Sequence, residues 1–373
     1  MPFIHLHVGQ GGMAKACCVA NIPFGNVNEK TMEEIWHGES INKLRDKFNN
    51  GETDNRCMVC HNREAAGAKS LRQETFEKFK AVDLERASHI GPVYFDIRFS
   101  NVCNLRCRTC WHGASSKWYA DAKILGQNIG RKAIIQNIND LELFIEKYGN
   151  ALRHAEEFYF AGGEPLVTEE HYVLLNYLIK HGATKARLRY NTNFSTLDFK
   201  GYRVLDLWNQ FEEVEVLASL DAASKLGQYL RKDLDWSQVL KNRVRLAESS
   251  PHVKFKIAPT ISVLNIANVP SFYQRMCFEG IIETEDLYVN ILERPTYYNI
   301  QILPPEIKDK IAHRFFEVME EHLPLSIKKA FQEILDYMWL EDRSSVWPIF
   351  LEKTNTLDKI REENWKDHLP LFS

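Results

Sequence analysis

Seven of the eight cysteines in this 373-residue chain lie before residue 111, in three tight groups; only Cys277 stands apart. The groups are Cys17-Cys18, Cys57-x2-Cys60 and Cys103-x3-Cys107-x2-Cys110. In a short secreted chain an even count would suggest a disulfide framework. The start, Met1-Pro2-Phe3-Ile4-His5, lacks the basic residues and apolar stretch of an export signal. No apolar run approaches the roughly 20 residues that span a bilayer, so no membrane association is expected. A cytoplasmic protein is the expectation, and in that reducing compartment clustered thiols hold metal or do redox chemistry. The net charge, 47 Lys and Arg against 50 Asp and Glu, is −3. Such a chain offers no global field to nucleic acid, which is not expected as a partner. Aromatic residues at 12% supply ample core material and exclude disorder for the whole.

The chain divides by texture into residues 1–75, 76–91, 92–300 and 301–373. In the first part Phe3–Val8 alternates like a strand before a glycine turn, and Thr31 with Glu34 forms a capping box for a helix at Met32–Trp36. A second short helix is expected over Ile41–Phe48, with cysteine groups on either side of the pair. So small a segment has little core, and a bound metal would help to hold it together. Residues 76–90 read as a connecting helix. From 92, strands alternate with helices, the pattern of a parallel sheet. Strands are expected at Val93–Phe99, Glu157–Ala161, Ala186–Asn191, Val214–Leu220, Val253–Ile261 and Leu287–Leu292. Helices are expected at Arg131–Tyr148, Glu170–His181 and Trp236–Ser249. Six β/α units suggest an open, partial barrel, with ligands at the C-terminal strand ends. After Pro304-Pro305 the chain turns helical, with Ile307, Ile311, Phe315 and Val318 on one face and Ile327, Phe331, Ile334, Leu335 and Met338 on another.

The first of these strands runs into Cys103-x3-Cys107-x2-Cys110. Three thiolates so spaced on a loop can wrap one face of a 4Fe–4S cube and leave the fourth iron open. Zinc is the alternative, with His112 as a fourth ligand. The next strand ends in Gly162-Gly163-Glu164-Pro165, and a later one in Ser219-Leu220-Asp221. Together these resemble the radical SAM superfamily, defined by CxxxCxxC after the first strand of a partial (β/α)6 barrel. The resemblance implies a 4Fe–4S cluster on Cys103, Cys107 and Cys110 whose open iron binds S-adenosylmethionine (SAM). Reductive cleavage of SAM to a 5′-deoxyadenosyl radical, which abstracts hydrogen from the substrate, would follow. It also implies SAM contacts from Gly162, Gly163 and Glu164, from Asn191 and Asn193, from Ser219 and Asp221, and from Arg231, Thr260 and Ser262. Each has a plainer reading: a turn for Gly-Gly-Glu-Pro, a helix cap for Asp221, a solvated charge for Arg231, satisfied loop backbone for the others. One departure is Thr109, where many members carry an aromatic residue against adenine; the neighbouring Trp111 is a substitute.

Gly12-x4-Cys17, Cys57-x2-Cys60 and the helix between them are similar to the SPASM/twitch auxiliary-cluster modules, here placed before the barrel. The likeness extends to Ser70-Leu71-Arg72, and Leu357–Trp365 is similar to the final helix of the same proteins. It implies a second, auxiliary 4Fe–4S cluster on Cys17, Cys57 and Cys60, with Cys18 in reserve because adjacent thiols rarely reach one compact cluster. Where such modules open on a cysteine, Met1 stands here, so the expectation is either a chain that starts slightly late or a cluster on Cys17, Cys57 and Cys60 with a non-protein or unusual fourth ligand. His5 and His7 are alternative ligands, and a zinc knuckle is the plain reading of the segment. Cys277, on the helix before the last strand, reads as a buried inert thiol rather than a hydrogen donor.

The expected fold is thus a partial (β/α)6 radical SAM barrel with a small N-terminal iron–sulfur module and a helical C-terminal extension. The expected function is that of a radical SAM enzyme acting on a peptide, in the manner of enzymes that mature ribosomally made peptides. A carbohydrate or nucleotide substrate is the alternative, disfavoured because no basic patch or phosphate loop is present. A metal-stapled scaffold or redox sensor is the non-enzymatic alternative. An electron donor such as flavodoxin or ferredoxin is the implied partner.

Overall fold

Alternating strands and helices build a parallel central sheet in a computed structural model of the protein, which describes residues 1–65 and 69–372. The chain divides into two compact units. The first holds residues 1–102, 134–191 and 198–215, and the second holds 103–133, 192–197 and 216–373.

In the first unit Tyr94–Ile97, Glu157–Phe160 and Arg187–Thr192 pair in parallel, in that order. Their alternation sorts the side chains. Phe95, Ile97, Phe158, Phe160, Leu188 and Tyr190 are fully buried on one face. His171, on the helix Glu169–Lys180, packs edge-on against Phe160 there, ring centroids 5.1 Å apart. The other face carries Tyr94, Asp96, Glu157, Tyr159, Arg187 and Arg189. The sheet continues into the N-terminal segment, because His5–Val8 pairs in parallel with Tyr94–Ile97, His7 beside Asp96. Antiparallel strands Met13–Lys15 and Pro23–Asn26 extend it further. The Thr31–Glu34 capping box is present and opens the helix Met32–Trp36. Trp36 Nε1 donates to Ala87 O at 3.0 Å, fixing that helix on the segment that precedes the sheet's first barrel strand.

Two expected helices differ. The connector is two helices, Leu71–Lys78 and Leu84–Ile90, because Phe79 turns inward to stack on Tyr94 at 5.4 Å and Asp83 starts a new cap. The helix expected from Arg131 begins at Leu141, capped by Asp140. The residues ahead of it are held extended along the end of the strand, with Asn137 N–H donating to Phe99 O at 2.9 Å and Ile135 N–H to Asn101 Oδ1 at 2.8 Å.

The strand Val214–Ala218 starts in the first unit and ends in the second, where Ala258 N–H donates to Ala218 O at 2.8 Å, just beyond the strand Lys254–Ile257. The last expected strand is reduced to Asn290–Ile291, paired in parallel with Thr260–Ile261. The helix Trp236–Ser249 has the expected limits. Three long helices, Pro305–Met319, Leu325–Trp339 and Trp347–Arg361, complete this unit. Phe315 and Phe331 meet edge-on at 5.2 Å between the first two, on the apolar faces expected from their spacing.

Candidate functional site

The CxxxCxxC loop is held from several sides within the second unit. Cys103 N–H donates to Ser116 Oγ at 3.3 Å, Ser115 Oγ to Leu105 O at 2.7 Å, and Trp118 Nε1 to Cys107 O at 2.7 Å. Asn104, inside the motif, accepts from Asn193 Nδ2 at 2.9 Å and donates to Ser195 Oγ at 2.8 Å. Arg106–Cys107 forms a two-residue antiparallel ladder with Arg231–Lys232. That ladder brings Arg231 Nη1 to 3.5 Å from Cys107 Sγ. Arg231 is buried, and its Nη2 donates to Asp221 Oδ1 at 3.0 Å. Burial alone would lower the guanidinium's pKa, but Asp221 and then Cys107 hold it above its ordinary value.

Asp221 gathers the other strand ends. Its Oδ1 also accepts from Thr260 N–H at 2.8 Å, and Asn265 Nδ2 bridges Asp221 O and Thr260 O, both at 3.1 Å. Ser262 is buried in a turn closed by Asn265 Oδ1, its Oγ accepting from Leu264 N–H at 3.3 Å. Ser219 N–H donates to Thr192 O at 2.7 Å. One unit therefore brings together the cysteine loop, Asn193, Ser219, Asp221, Arg231, Thr260 and Ser262. Trp111 is 51% exposed.

Gly162, Gly163 and Glu164 lie in the first unit. Both glycines adopt left-handed backbone, φ 79° and 56°. A Cβ on Gly163 would stand 2.2 Å from Val102 O, so the chain before Cys103 fits against this turn only with no side chain there. Glu164 is buried, donates its N–H to Val102 O at 2.7 Å, and accepts at Oε1 from Leu166 N–H at 3.0 Å. Asn191 Oδ1 is buried without a hydrogen-bond partner.

The N-terminal cysteines also converge within the first unit. The Cys57 thiol is pushed up to about 11, chiefly by burial and next by Cys17, Asp54 and Cys60. Burial raises Cys17 too, with Cys60 adding to it. Cys18 is exposed and lies in the field of Asp96 and Arg98 as well as that of Cys17. His5 Nδ1 donates to Ala16 O at 2.7 Å, and His7 Nδ1 lies 2.8 Å from Asp96 Oδ2. Cys277 is half-buried on the helix Val269–Phe278.

The donor chemistry fits iron–sulfur clusters. Burial pushes the Cys110 thiol up to about 12 and raises Cys107 as well, so a bound metal centre is what would hold them as thiolates. Among the described residues no three His, Cys, Asp or Glu side chains close to the spacing that one metal ion needs. A cube asks for a wider spread, since each thiolate sits on its own iron. The orphaned Asn191 carbonyl suits close approach of a polar donor, whereas the space that a Cβ on Gly162 or Gly163 would fill is taken by Arg98 and Val102.

Sequence reasoning missed Asn104, Asn265, Arg108, Asp121 and Asp358. Arg108 is buried under Tyr229, guanidinium carbon 3.7 Å from the ring centroid, and pairs with Asp358 and Glu363. Arg361 donates to Asp121 from Nε at 3.0 Å and from Nη2 at 2.8 Å. The only local sign was a pair of arginines, Arg106 and Arg108, flanking a cysteine.

Residues 1–61 match the SPASM iron–sulfur cluster-binding domain, and residues 97–259 match the Radical SAM superfamily. No curated protein matches the chain. Among solved structures, native anSMEcpe with bound AdoMet is 18% identical, with a TM-score of 0.42 over 61% of this chain and 61% of that one. SuiB of Streptococcus suis bound to its precursor peptide SuiA is 14% identical, with a TM-score of 0.44 over 82% of this chain and 69% of that one. The present chain thus spans 61% of the length of the first structure. The two domains imply a 4Fe–4S cluster with SAM and an auxiliary iron–sulfur cluster. The chain thus carries a SPASM iron–sulfur domain at residues 1–61 ahead of a radical SAM domain at residues 97–259.

Proposed function

We propose that the protein is a radical SAM enzyme that removes a hydrogen atom from a peptide, with Cys103, Cys107 and Cys110 as ligands of the SAM-binding cluster. The observation that carries this reading is the line from Cys107 through Arg231 to Asp221 and Thr260 N–H, because it joins the cysteine loop to two strand ends in one unit. When bound, the cluster and SAM supply the one-electron chemistry. The chain's own groups bind and orient. Arg231 gives a buried cation beside Cys107, suited to the SAM carboxylate. Gly162 and Gly163 let backbone approach the methionyl ammonium, and Glu164 and Asn191 offer it acceptors. Asn193, Ser219 and Asp221, with Thr260 and Ser262, line the ribose and adenine side. Cys17, Cys57 and Cys60 hold the auxiliary cluster, with Cys18 in reserve, and flavodoxin or ferredoxin supplies electrons.

The peptide is favoured by the SPASM module and by the lack of a basic patch or phosphate loop. Anaerobic reconstitution should give about eight irons per chain for two cubes, and dithionite should drive formation of 5′-deoxyadenosine. Stoichiometric zinc with no SAM cleavage overturns the enzyme reading. The peptide is tested on the product of any short precursor gene beside this one: it should change mass on incubation, whereas a neighbouring sugar pathway whose intermediate is consumed would replace it.

A further inference from the structure

The face of the first unit's sheet that turns away from the helix Glu169–Lys180 carries a row of polar side chains. Strand register places His7 beside Asp96, Asp96 beside Tyr159 and Tyr159 beside Arg189. Arg189 Nε then lies 2.8 Å from Glu215 Oε2. Register neighbours in a parallel sheet share a face, and Arg98, two residues past Asp96, stands above the row on that same face. Closed barrels fill this interior with branched aliphatic side chains. Burying charges there is costly unless they are paired or serve a ligand.

The charges of the row are not equally satisfied. His7 Nδ1 stands 2.8 Å from Asp96 Oδ2 and Arg189 Nε 2.8 Å from Glu215 Oε2, both close ion-pair contacts. Arg98 reaches Asp96 Oδ1 only at 3.6 Å, beyond hydrogen-bond range, and both Arg98 Nε and Asp96 Oδ1 are buried without a hydrogen-bond partner. The Arg98 side chain is 30% exposed. Its stem lies along Gly162, where an added Cβ would come within 3.0 Å of Arg98 Cβ and Cγ. The guanidinium therefore stands at the C-terminal end of the sheet, where open α/β sheets take ligands. A planar fork at that place, its Nε without a hydrogen-bond partner, matches a two-oxygen anion.

We propose that Arg98 is the anion-recognition residue of a substrate site on this polar face, seating a carboxylate of the substrate above a floor of Tyr159 and the His7–Asp96 pair. The choice of carboxylate over phosphate, which shares the oxyanion chemistry, rests on the peptide reading above. The test is calorimetric titration of the reconstituted, SAM-loaded enzyme with three probes: N-acetyl-glutamate N-methylamide, its glutamine analogue and inorganic phosphate. The glutamate probe should bind at least about tenfold more tightly than the glutamine probe. Arg98→Gln should erase that preference, and Arg98→Lys should keep part of it, since lysine preserves the charge without the fork. Circular dichroism and cluster absorbance check folding, and if Arg98→Gln does not fold, the several-fold loss in Arg98→Lys decides between the outcomes. Equal affinity for the two amides in the parent, or a preference untouched by either variant, overturns the proposal. Arg98-dependent binding of phosphate without a glutamate preference overturns the carboxylate. Because small anions are titrated, failure to find a peptide substrate leaves the outcome at Arg98 unaffected.

Discussion

At the scale of single residues, two positions differ from their look-alikes by what surrounds them. Gly163 and Gly182 both have left-handed backbone, φ 56° and 70°, but a Cβ on Gly182 meets nothing within 4 Å whereas one on Gly163 meets Val102 O. Alanine at Gly182 bears only the backbone cost, about 1–2 kcal/mol. Alanine at Gly163 bears the same cost and must also move the residue before Cys103, so its thermal midpoint should fall clearly further. Equal midpoints for Gly163→Ala and Gly182→Ala would show that the turn yields freely. Asp221 is the second case, a short motif residue that proves to be a hub for Arg231 and Thr260 N–H. Asp221→Ala leaves Arg231, its side chain 9% exposed, without its carboxylate. Loss of a buried partner of this kind costs about 3–5 kcal/mol. Weakened SAM binding in this variant is therefore to be read beside urea denaturation. A loss below about 1 kcal/mol would mean that Arg231 finds another partner.

At the scale of elements, the helix Trp347–Arg361 braces the cysteine loop of its own unit. Asp358 Oδ2 accepts from Trp365 N–H at 2.6 Å and its Oδ1 from Tyr229 Oη at 3.1 Å, besides pairing with Arg108. Arg108 is two residues from Cys110 and its side chain is fully buried. Asp358→Ala should destabilise the second unit by about 3–5 kcal/mol, and reconstituted iron should fall with it; Asp358→Asn, which keeps two of the hydrogen bonds, should lose less. Iron content and unfolding midpoint unchanged in Asp358→Ala would show that Glu363 alone secures Arg108. This brace marks the limit of what the sequence discloses. CxxxCxxC, Gly-Gly-Glu and Ser-x-Asp are legible because each is local, a few residues with one physical job at a strand end. Arg108 and Asp358 are 250 residues apart, and neither bears a spacing that announces the other. The same holds for the strand His5–Val8. Its alternation is readable, yet its partner strand, Tyr94–Ile97, lies far along the chain. The helix expected from Arg131 fails for a related reason: Phe99 and Asn101 claim residues 135–138, and that tertiary pull overrides local propensity.

At the scale of the whole molecule, the two cysteine sets belong to different compact units, with Cys17, Cys57 and Cys60 in the first and Cys103, Cys107 and Cys110 in the second. Two centres in two units can be removed one at a time. Cys107 is the thiol beside Arg231, so Cys107→Ala should abolish reductive cleavage to 5′-deoxyadenosine. Cys57 lies in the field of Cys17 and Cys60, remote in sequence from every strand-end motif. Cys57→Ala should therefore leave some 5′-deoxyadenosine formation, uncoupled from product. Product should fail in both variants, for want of the radical in one and of the auxiliary centre in the other. The N-terminal strand is part of the first unit's sheet, so losing a cluster there also threatens folding, and circular dichroism must accompany the assay. Dithionite as electron source removes differences in access by a natural reductant. Product made at the parental rate by folded Cys57→Ala would reduce the auxiliary centre to a structural staple. SAM cleavage by folded Cys107→Ala would remove the cysteine loop from the chemistry, and with it the proposed role of Arg231 and Asp221.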